Sequence, residues 1–480
     1  MPELSIKPYT NLEDKHFSNE VRILLTDNDF NGINFKEGQI PLFVSKCFFK
    51  KILITNIEEI AFQDVSLMFS DCYIEDFQIE AITSGNISLL FFNCIINGKI
   101  DNSKLKLVEF NNCCLISSMF LLNIETVTIK FSEKFNELFN QEHFKNHIKD
   151  SEKLSEIRQS YYINHCKKIW VSSEIKNHNP KWNINLSLTY LSEDNDISTN
   201  VKNIRLQALS FTGNTCGKLT VENSKIERLY LREFSPKGET VFYDISPSTL
   251  LNPKASTEQE TKIEIHRCNL DSVDFDNIKF DAYNIVSFYR TKFSKTTFTS
   301  CNFPKNYVSF ERFKSLENVH YKDVLSGNYH KDQYEIFLQL KKSLELTGNY
   351  YEAQKLQGIA HDALKQIKTI SSWDRMILKI NSFSNNHGLS IIRPFLLFLA
   401  FTIPLYILYL WSLGRINNNS IDYTLFGSYF SFIDLTHRTD FLVNKDGFTG
   451  LSLALDFINK IVAGFFIYQL IAAFRKYGKN

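Results

Sequence analysis

The sequence predicts a mainly β chain wound as a solenoid, carrying a helical insertion and followed by an α-helical hairpin and a C-terminal α-helical transmembrane region. Three observations lead there. Apolar residues recur every five positions between Cys268 and Phe303, a cysteine-centred signature returns at roughly coil-length intervals, and residues 394–411, PFLLFLAFTIPLYILYLW, contain no charge. A period of five matches neither the 3.6 of a helix nor the 2.0 of a strand. A chain that turns a corner every five residues does match it, with four short faces closing one coil.

Composition narrows the class further. The 480 residues suffice for two or three domains. Net charge is +1 from 54 basic and 53 acidic residues, so no concentrated basic surface is available for nucleic acid, and an acidic mimic of it is equally excluded. The nine cysteines are an odd number scattered at wide intervals. They are expected to be small buried hydrophobes in a reducing compartment and not a disulfide framework.

Residues 1–39 are read as an N-terminal cap. Their opening, MPELSIKPYTNLEDKHF, is polar and lacks an apolar core, so no secretory signal is expected and the bulk of the chain is assigned to the cytoplasm. Residues 40–131 form the first solenoid part. Ile95, Ile100, Leu105, Phe110 and Leu115 recur at five there. The signature apolar-x-x-Cys-x-apolar appears at Val44/Cys47/Phe49, Phe69/Cys72/Ile74, Phe91/Cys94/Ile96 and Phe110/Cys113/Leu115, and returns at Ile265/Cys268/Leu270 and Phe298/Cys301/Phe303. Residues 132–200 are read as a helical insertion and connector, because the string from Ser132 to Trp170 is charged and helical in pattern.

Residues 201–325 form the second solenoid part. Leu270, Phe275, Phe280 and Ile285 stand five apart, and after a three-residue shift Phe293, Phe298 and Phe303 follow. Two positions before each lie Cys268, Val273, Ile278, Tyr283, Thr291, Thr296 and Cys301. The stretch 235–260 reads as an exposed loop. The pentads at 268–303 resemble the pentapeptide-repeat family, and tracts 40–131 and 201–232 resemble it more loosely. The resemblance implies a degenerate right-handed quadrilateral β-solenoid of about eight coils, some 40 Å long. It also implies binding or scaffolding in place of catalysis. Cys268, Leu270, Phe275, Phe280, Ile285, Phe293, Phe298, Cys301 and Phe303 are its expected core.

Residues 326–370 carry a helical hairpin. Ile336, Leu340 and Leu344 form one stripe, Thr347-Gly348-Asn349 punctuates, and Ala353, Leu356, Ala360 and Leu364 form the next. The string LELTGNYYEAQKLQGIA resembles one tetratricopeptide-type hairpin, a cap or a subunit contact. Residues 371–393 are read as a juxtamembrane linker. Residues 394–480 form a two-span transmembrane hairpin. The first span, 394–411, is long enough to cross a bilayer, with Pro404 inside and Trp411 as an interface anchor. The second, 450–474, has an uncharged run only from Ile461 to Phe474, followed by the anchors Arg475 and Lys476. Within it, Asp456, Lys460 and Gln469 are expected to serve association, because polar side chains in a span usually face protein or water. Asp456 and Lys460 are four apart and able to pair. Residues 420–442 are expected to lie in the interface or to dip between the spans.

No catalytic residue, metal ligand set or cofactor motif emerges. Phosphate-binding, dinucleotide and nucleophile-elbow motifs are absent. His143 and His147 share a helix face, but Phe144 stands where a metalloprotease needs its base. The expected partners are the lipid bilayer and either a protein or a second copy of the chain. The expected location is the inner membrane, multi-pass, with the N-terminal domain cytoplasmic. A membrane-anchored scaffold is the first functional expectation. A pore-forming effector is the alternative, and a gated channel a third, counted against by the missing potassium-filter sequence.

Overall fold

The computed structural model describes residues 3–5, 10–25, 42–56, 65–80, 87–100, 104–132, 138, 157–173, 184–192, 196–248, 261–303, 329–416, 424–438, 441–442 and 447–474. The chain divides into two units, 1–321 and 322–480.

The first unit is a long parallel sheet in which the chain alternates between two ladders. Val44 faces Phe69, Phe69 faces Phe91 and Phe91 faces Phe110, steps of 25, 22 and 19 residues. Between those strands the chain lays one down in the other ladder, where Phe49 faces Ile74 and Ile74 faces Ile96. Parallel strands need a long return connection. Here the return path is itself a strand, so each winding adds a rung to both ladders. Strand Leu219–Phe234 belongs to both, its first half facing Thr240–Ser246 and its second half Lys262–His266. All strand pairings among the described residues are parallel.

A left-handed backbone residue marks the bends. Lys46, Asp71, Asn93, Asn112, His165, Arg267 and Ser300 have φ between 48° and 55°, and a cysteine follows each of them. Asn and Asp tolerate this conformation best among side-chain-bearing residues. The cysteine then turns inward and its thiol donates to two backbone carbonyls. Cys72 Sγ reaches Ser70 O at 3.2 Å and Val44 O, one winding back, at 3.6 Å. Cys94 repeats this with Phe92 O and Phe69 O, and Cys268 with His266 O and Leu231 O. At Arg290, Thr291 takes the cysteine's place and bonds Tyr289 O and Ile265 O. At these eight bends a small inward residue with one weak donor follows, whereas at Asn123, Asn203, Asp244 and Asn277 a buried isoleucine does. All nine cysteines are free thiols. Burial pushes Cys47 and Cys166 up to about 11 and Cys268 and Cys301 up to about 12, which leaves these thiols unreactive near neutrality.

Aromatic rings stack along the interior from winding to winding. Phe69, Phe91 and Phe110 lie 5.2 and 5.5 Å apart and nearly parallel, and Phe242, Phe275 and Phe298 repeat this at 5.3 and 5.2 Å. Every expected core residue is buried. Ile285, which the register sets opposite Lys262, is 1% exposed, and its neighbour Val286, opposite Ile263, is only partly buried.

The expected helical insertion at 132–200 is corrected where the chain is described. Ile157–Asn164, Lys168–Ser173, Ile184–Tyr190 and Ser198–Lys202 are strands that extend both ladders. Their inward residues alternate (Leu186, Leu188, Tyr190), a period of two that the flanking charges obscure. His143 and His147 lie outside the described residues. The expected loop at 235–260 likewise contains strand Thr240–Ser246, and the stretch 249–260 is not among the described residues. Residues 10–25 of the expected cap join the same ladders. With these additions each ladder holds about twelve strands among the described residues, which span roughly 50 Å at the usual strand spacing.

A titratable side chain is buried on one of the last rungs. His266 is 2% exposed and its Nε2 lies 3.0 Å from Ser287 Oγ. Burial pushes it down to about 4, outweighing the pull of Glu264 beside Arg232 and Lys262. The folded chain thus holds the neutral imidazole, while the unfolded chain takes up a proton below pH 6.5. Its contribution, about 3 kcal/mol at most, is full above pH 6.5 and is lost as pH falls towards 4. Between pH 7 and 4.5 the β-signal urea midpoint should fall further for the parent than for His266→Gln, by about 2 kcal/mol of stability. Parallel declines would show that His266 is not the group titrating.

The second unit is helical. Helices α1 (Tyr329–Leu346) and α2 (Tyr350–Gln366) form the expected hairpin, with Leu340, Leu344, Ala353, Leu356 and Ala360 buried between them. The residue buried beyond them is Ala363 and not Leu364. Gly348 (φ 80°) makes the turn, and the Asn349 side chain accepts from Glu352 N at 3.3 Å. The expected linker contains a further helix, α3 (Ser372–Asn385), capped by Ser371. Helix α4 (Ile392–Ser412), short helix α5 (Thr424–Ile433) and α6 (Gly450–Phe474) complete the unit. Helices α4 and α6 are long and apolar enough to cross a membrane, with mean hydropathies of 2.0 and 1.7. At 25 residues, α6 is about 37 Å long, so its charged first half belongs to one continuous helix.

Candidate functional site: a polar seam inside an apolar helical unit

Helices α4 and α6 expose their apolar side chains and bury their polar ones. On α6 the buried positions are Ser452, Asp456, Asn459, Ala463, Phe466, Gln469 and Ala473, spaced three and four apart. This is one helical stripe, and four of its seven members are polar. The opposite side shows Phe457, Ile458, Ile461, Ile471 and Phe474 outward, Phe457 at 66% exposure. Less than a third of the apolar stretch of either helix is buried. The core helix of a water-soluble domain has the reverse arrangement.

The predicted polar residues meet partners within the chain. Asp456 is 4% exposed; its Oδ1 lies 2.7 Å from His437 Nε2 and its Oδ2 3.3 Å from Lys460 Nζ. Lys460 Nζ also donates to His437 O at 3.3 Å, and His437 Nδ1 meets Asp434 O. Asp456 and Lys460 thus close the i, i+4 pair expected of them and together hold the segment after α5. That segment is tightened by Asp434, whose carboxyl accepts from Thr436 N and Oγ1 and is held below its ordinary range by them. Asn459 Nδ2 donates to Phe432 O at 2.7 Å, which satisfies a carbonyl at the end of α5. Gln469 engages α3: its Oε1 accepts from Asn385 Nδ2 and its Nε2 donates to Asn381 Oδ1 at 3.2 Å.

Hydroxyl groups join α4 to α5. Thr402 Oγ1 donates to Phe398 O and lies 2.7 Å from Tyr429 OH, and Tyr406 OH donates to Leu425 O at 2.6 Å. Around them Tyr406, Tyr409, Leu410 and Phe432 form an aromatic core. Among the described residues, Tyr409 OH and Asn459 Oδ1 are buried without a hydrogen-bond partner. Trp411 is exposed at the end of α4, as an interface anchor requires. Arg475 and Lys476 lie outside the described residues.

The hairpin meets the head of this unit. His387 Nε2 lies 3.3 Å from Asp362 Oδ1, and its carbonyl accepts from Gln354 Nε2 at 3.0 Å. The hydrogen bond from His387, with Lys365, pulls Asp362 down to about 2, while burial and the neighbouring His387 push His361 down. Gly358 admits this contact, since a Cβ there would stand 3.3 Å from Leu389 Cδ1. No cluster able to hold a metal ion occurs among the described residues.

Sequence reasoning named Asp456, Lys460 and Gln469 but missed His437, Asn381, Asn385 and Asn459. Asn381 and Asn385 had a signal, being four apart behind the helix start Ser371-x-x-Asp374. His437 had none, since nothing local ties it to Asp456 nineteen residues away.

A parallel β-stack followed by a helical unit with two candidate membrane spans is the class these features define. Comparison with known proteins finds no matching family model, no matching curated protein and no matching solved structure.

Proposed function

We propose that this chain is a membrane-anchored interaction scaffold: a cytoplasmic right-handed quadrilateral solenoid of pentapeptide-repeat type, held at the inner membrane by the α4/α6 hairpin and without catalysis of its own. The observation that carries the anchor is the polar buried stripe of α6 beneath an apolar exposed surface, which only an apolar medium stabilises. The two alternating ladders, the left-handed corners and the pentads from Cys268 to Phe303 support the solenoid. Parallel crossovers are right-handed in nearly all sheets, which supports the hand. Arg375, Lys379 and Arg393 before α4, and Arg475 and Lys476 after α6, support an orientation with both flanks in the cytoplasm. The long regular surface of the stack suits a protein ligand or a second copy.

A pore is the second reading, favoured by α5, a short apolar helix that touches both candidate spans. Against it stand Asp456, Lys460 and Gln469, which are engaged inside their own chain and not offered to a neighbour. Overproduction in bacteria separates the readings. The full chain should stay in the membrane pellet after alkaline carbonate, the 1–371 truncation should leave it, and membrane potential should hold. Extraction of the full chain by carbonate would remove the anchor. Depolarisation by the full chain alone would replace the scaffold with the pore.

A further inference from the structure

We propose that α3 lies in the headgroup layer of an anionic bilayer with its Trp373–Phe383 stripe against the acyl chains, an inference that rests on α4 and α6 spanning the membrane. The helix has its polarity inside out. Trp373, Met376, Ile377, Ile380 and Phe383 follow one another at helical spacing and all are exposed, Trp373 at 72% and Phe383 at 64%. Its protein-facing side carries Asn381 and Asn385, which clasp Gln469 of α6, together with Ser384 and Leu378. A fourteen-residue helix in water turns its apolar stripe to the protein and its amides outward. The reverse arrangement is stable where the outer medium is apolar.

Continuity identifies that medium. Ile380 and Phe383 share an apolar recess of about 360 Å³ with Phe401 of α4 and Phe465 and Phe466 of α6. The stripe therefore runs without a break into the outward surface of both spans. Lys379 stands at the rim of that recess. Lys379 and Arg393, the latter at the start of α4, are both exposed, and the acid of α3 itself, Asp374, accepts from Ser371 Oγ at 2.7 Å. A tryptophan at one end of an amphipathic helix and a lysine, Lys379, along its edge suit the boundary between phosphates and acyl chains. Lipid is thus a better occupant than a second copy, because a copy has no use for a basic edge beside an apolar stripe continuous with the spans.

The chain has four tryptophans, Trp170, Trp182, Trp373 and Trp411. Two full-length variants, each with three of them changed to Phe, would keep only Trp373 or only Trp411. Both would be reconstituted in phosphatidylcholine vesicles containing phosphatidylglycerol, with bromine placed either near the glycerol end or near the tail end of the acyl chains. Trp373 should be quenched more strongly by bromine near the glycerol end, and its quenching should fall about twofold without phosphatidylglycerol while that of Trp411 holds. An unquenched Trp373 beside a quenched Trp411 would overturn the inference and leave the anchor standing, with α3 covered by protein. Equal quenching of Trp373 in both lipid mixtures would overturn the anionic preference. If neither tryptophan is quenched, the anchor reading itself fails.

Discussion

Replacing Asp456 by Leu is expected to destabilise the helical unit by about 3 kcal/mol, because it leaves the Lys460 ammonium half-buried without its carboxylate. Two links break at once, the 2.7 Å contact with His437 and the 3.3 Å contact with Lys460. The figure sits at the low end for a broken buried pair because the Lys460 side chain retains 28% exposure and can reach towards the interface. The double variant Asp456→Leu/Lys460→Leu should recover part of the loss, since no uncompensated charge remains. Thermal unfolding of the detergent-solubilised full chain, with tryptic cleavage at Arg438 as a local probe, reads both. A single variant as stable as the parent would mean the network does not hold the segment after α5. A double variant worse than the single would mean the lysine stabilises the fold by its bond to His437 O.

Phe91→Ala in the stack should cost more, about 4 kcal/mol, and should also broaden the unfolding transition. Its ring is fully buried between Phe69 and Phe110, with Phe77 edge-on at 5.2 Å. Truncation to Ala loses the transfer energy of the ring and leaves a cavity, together about 3–5 kcal/mol. In a stack whose windings touch only their neighbours, a hole in one rung also weakens the coupling between the windings on either side. Urea unfolding followed by the β signal should therefore show a lower midpoint and a shallower slope. Phe91→Leu should recover about half of the loss, because it refills most of the cavity. A midpoint shift below about 1 kcal/mol would show that the neighbouring rings close the gap.

Both variants act on features that the sequence announced in part. The pentads from Cys268 to Phe303 state a bend every five residues, because only side chains on the inner wall need to be apolar, and all nine expected core residues are buried. The cysteine signature states the bend as well. A residue in the left-handed conformation followed by a small inward donor is a local feature of these turns and is written locally. The first candidate span is equally local, since eighteen consecutive uncharged residues mark it whatever the rest of the chain does.

The tertiary structure decided what depends on distant partners. The charged run before Ile157 suggested helix for the whole of 132–200, yet the strands from Ile157 to Lys202 form because rungs above and below supply their hydrogen bonds. His437 reaches Asp456, and Asn385 reaches Gln469 across 84 residues, only once α3, α5 and α6 are packed. Amphipathicity shows that α3 has an apolar stripe. Which way that stripe faces is settled by the asparagines that bind α6, because a buried amide must find its hydrogen-bond partner, while an apolar side chain is content in either lipid or core.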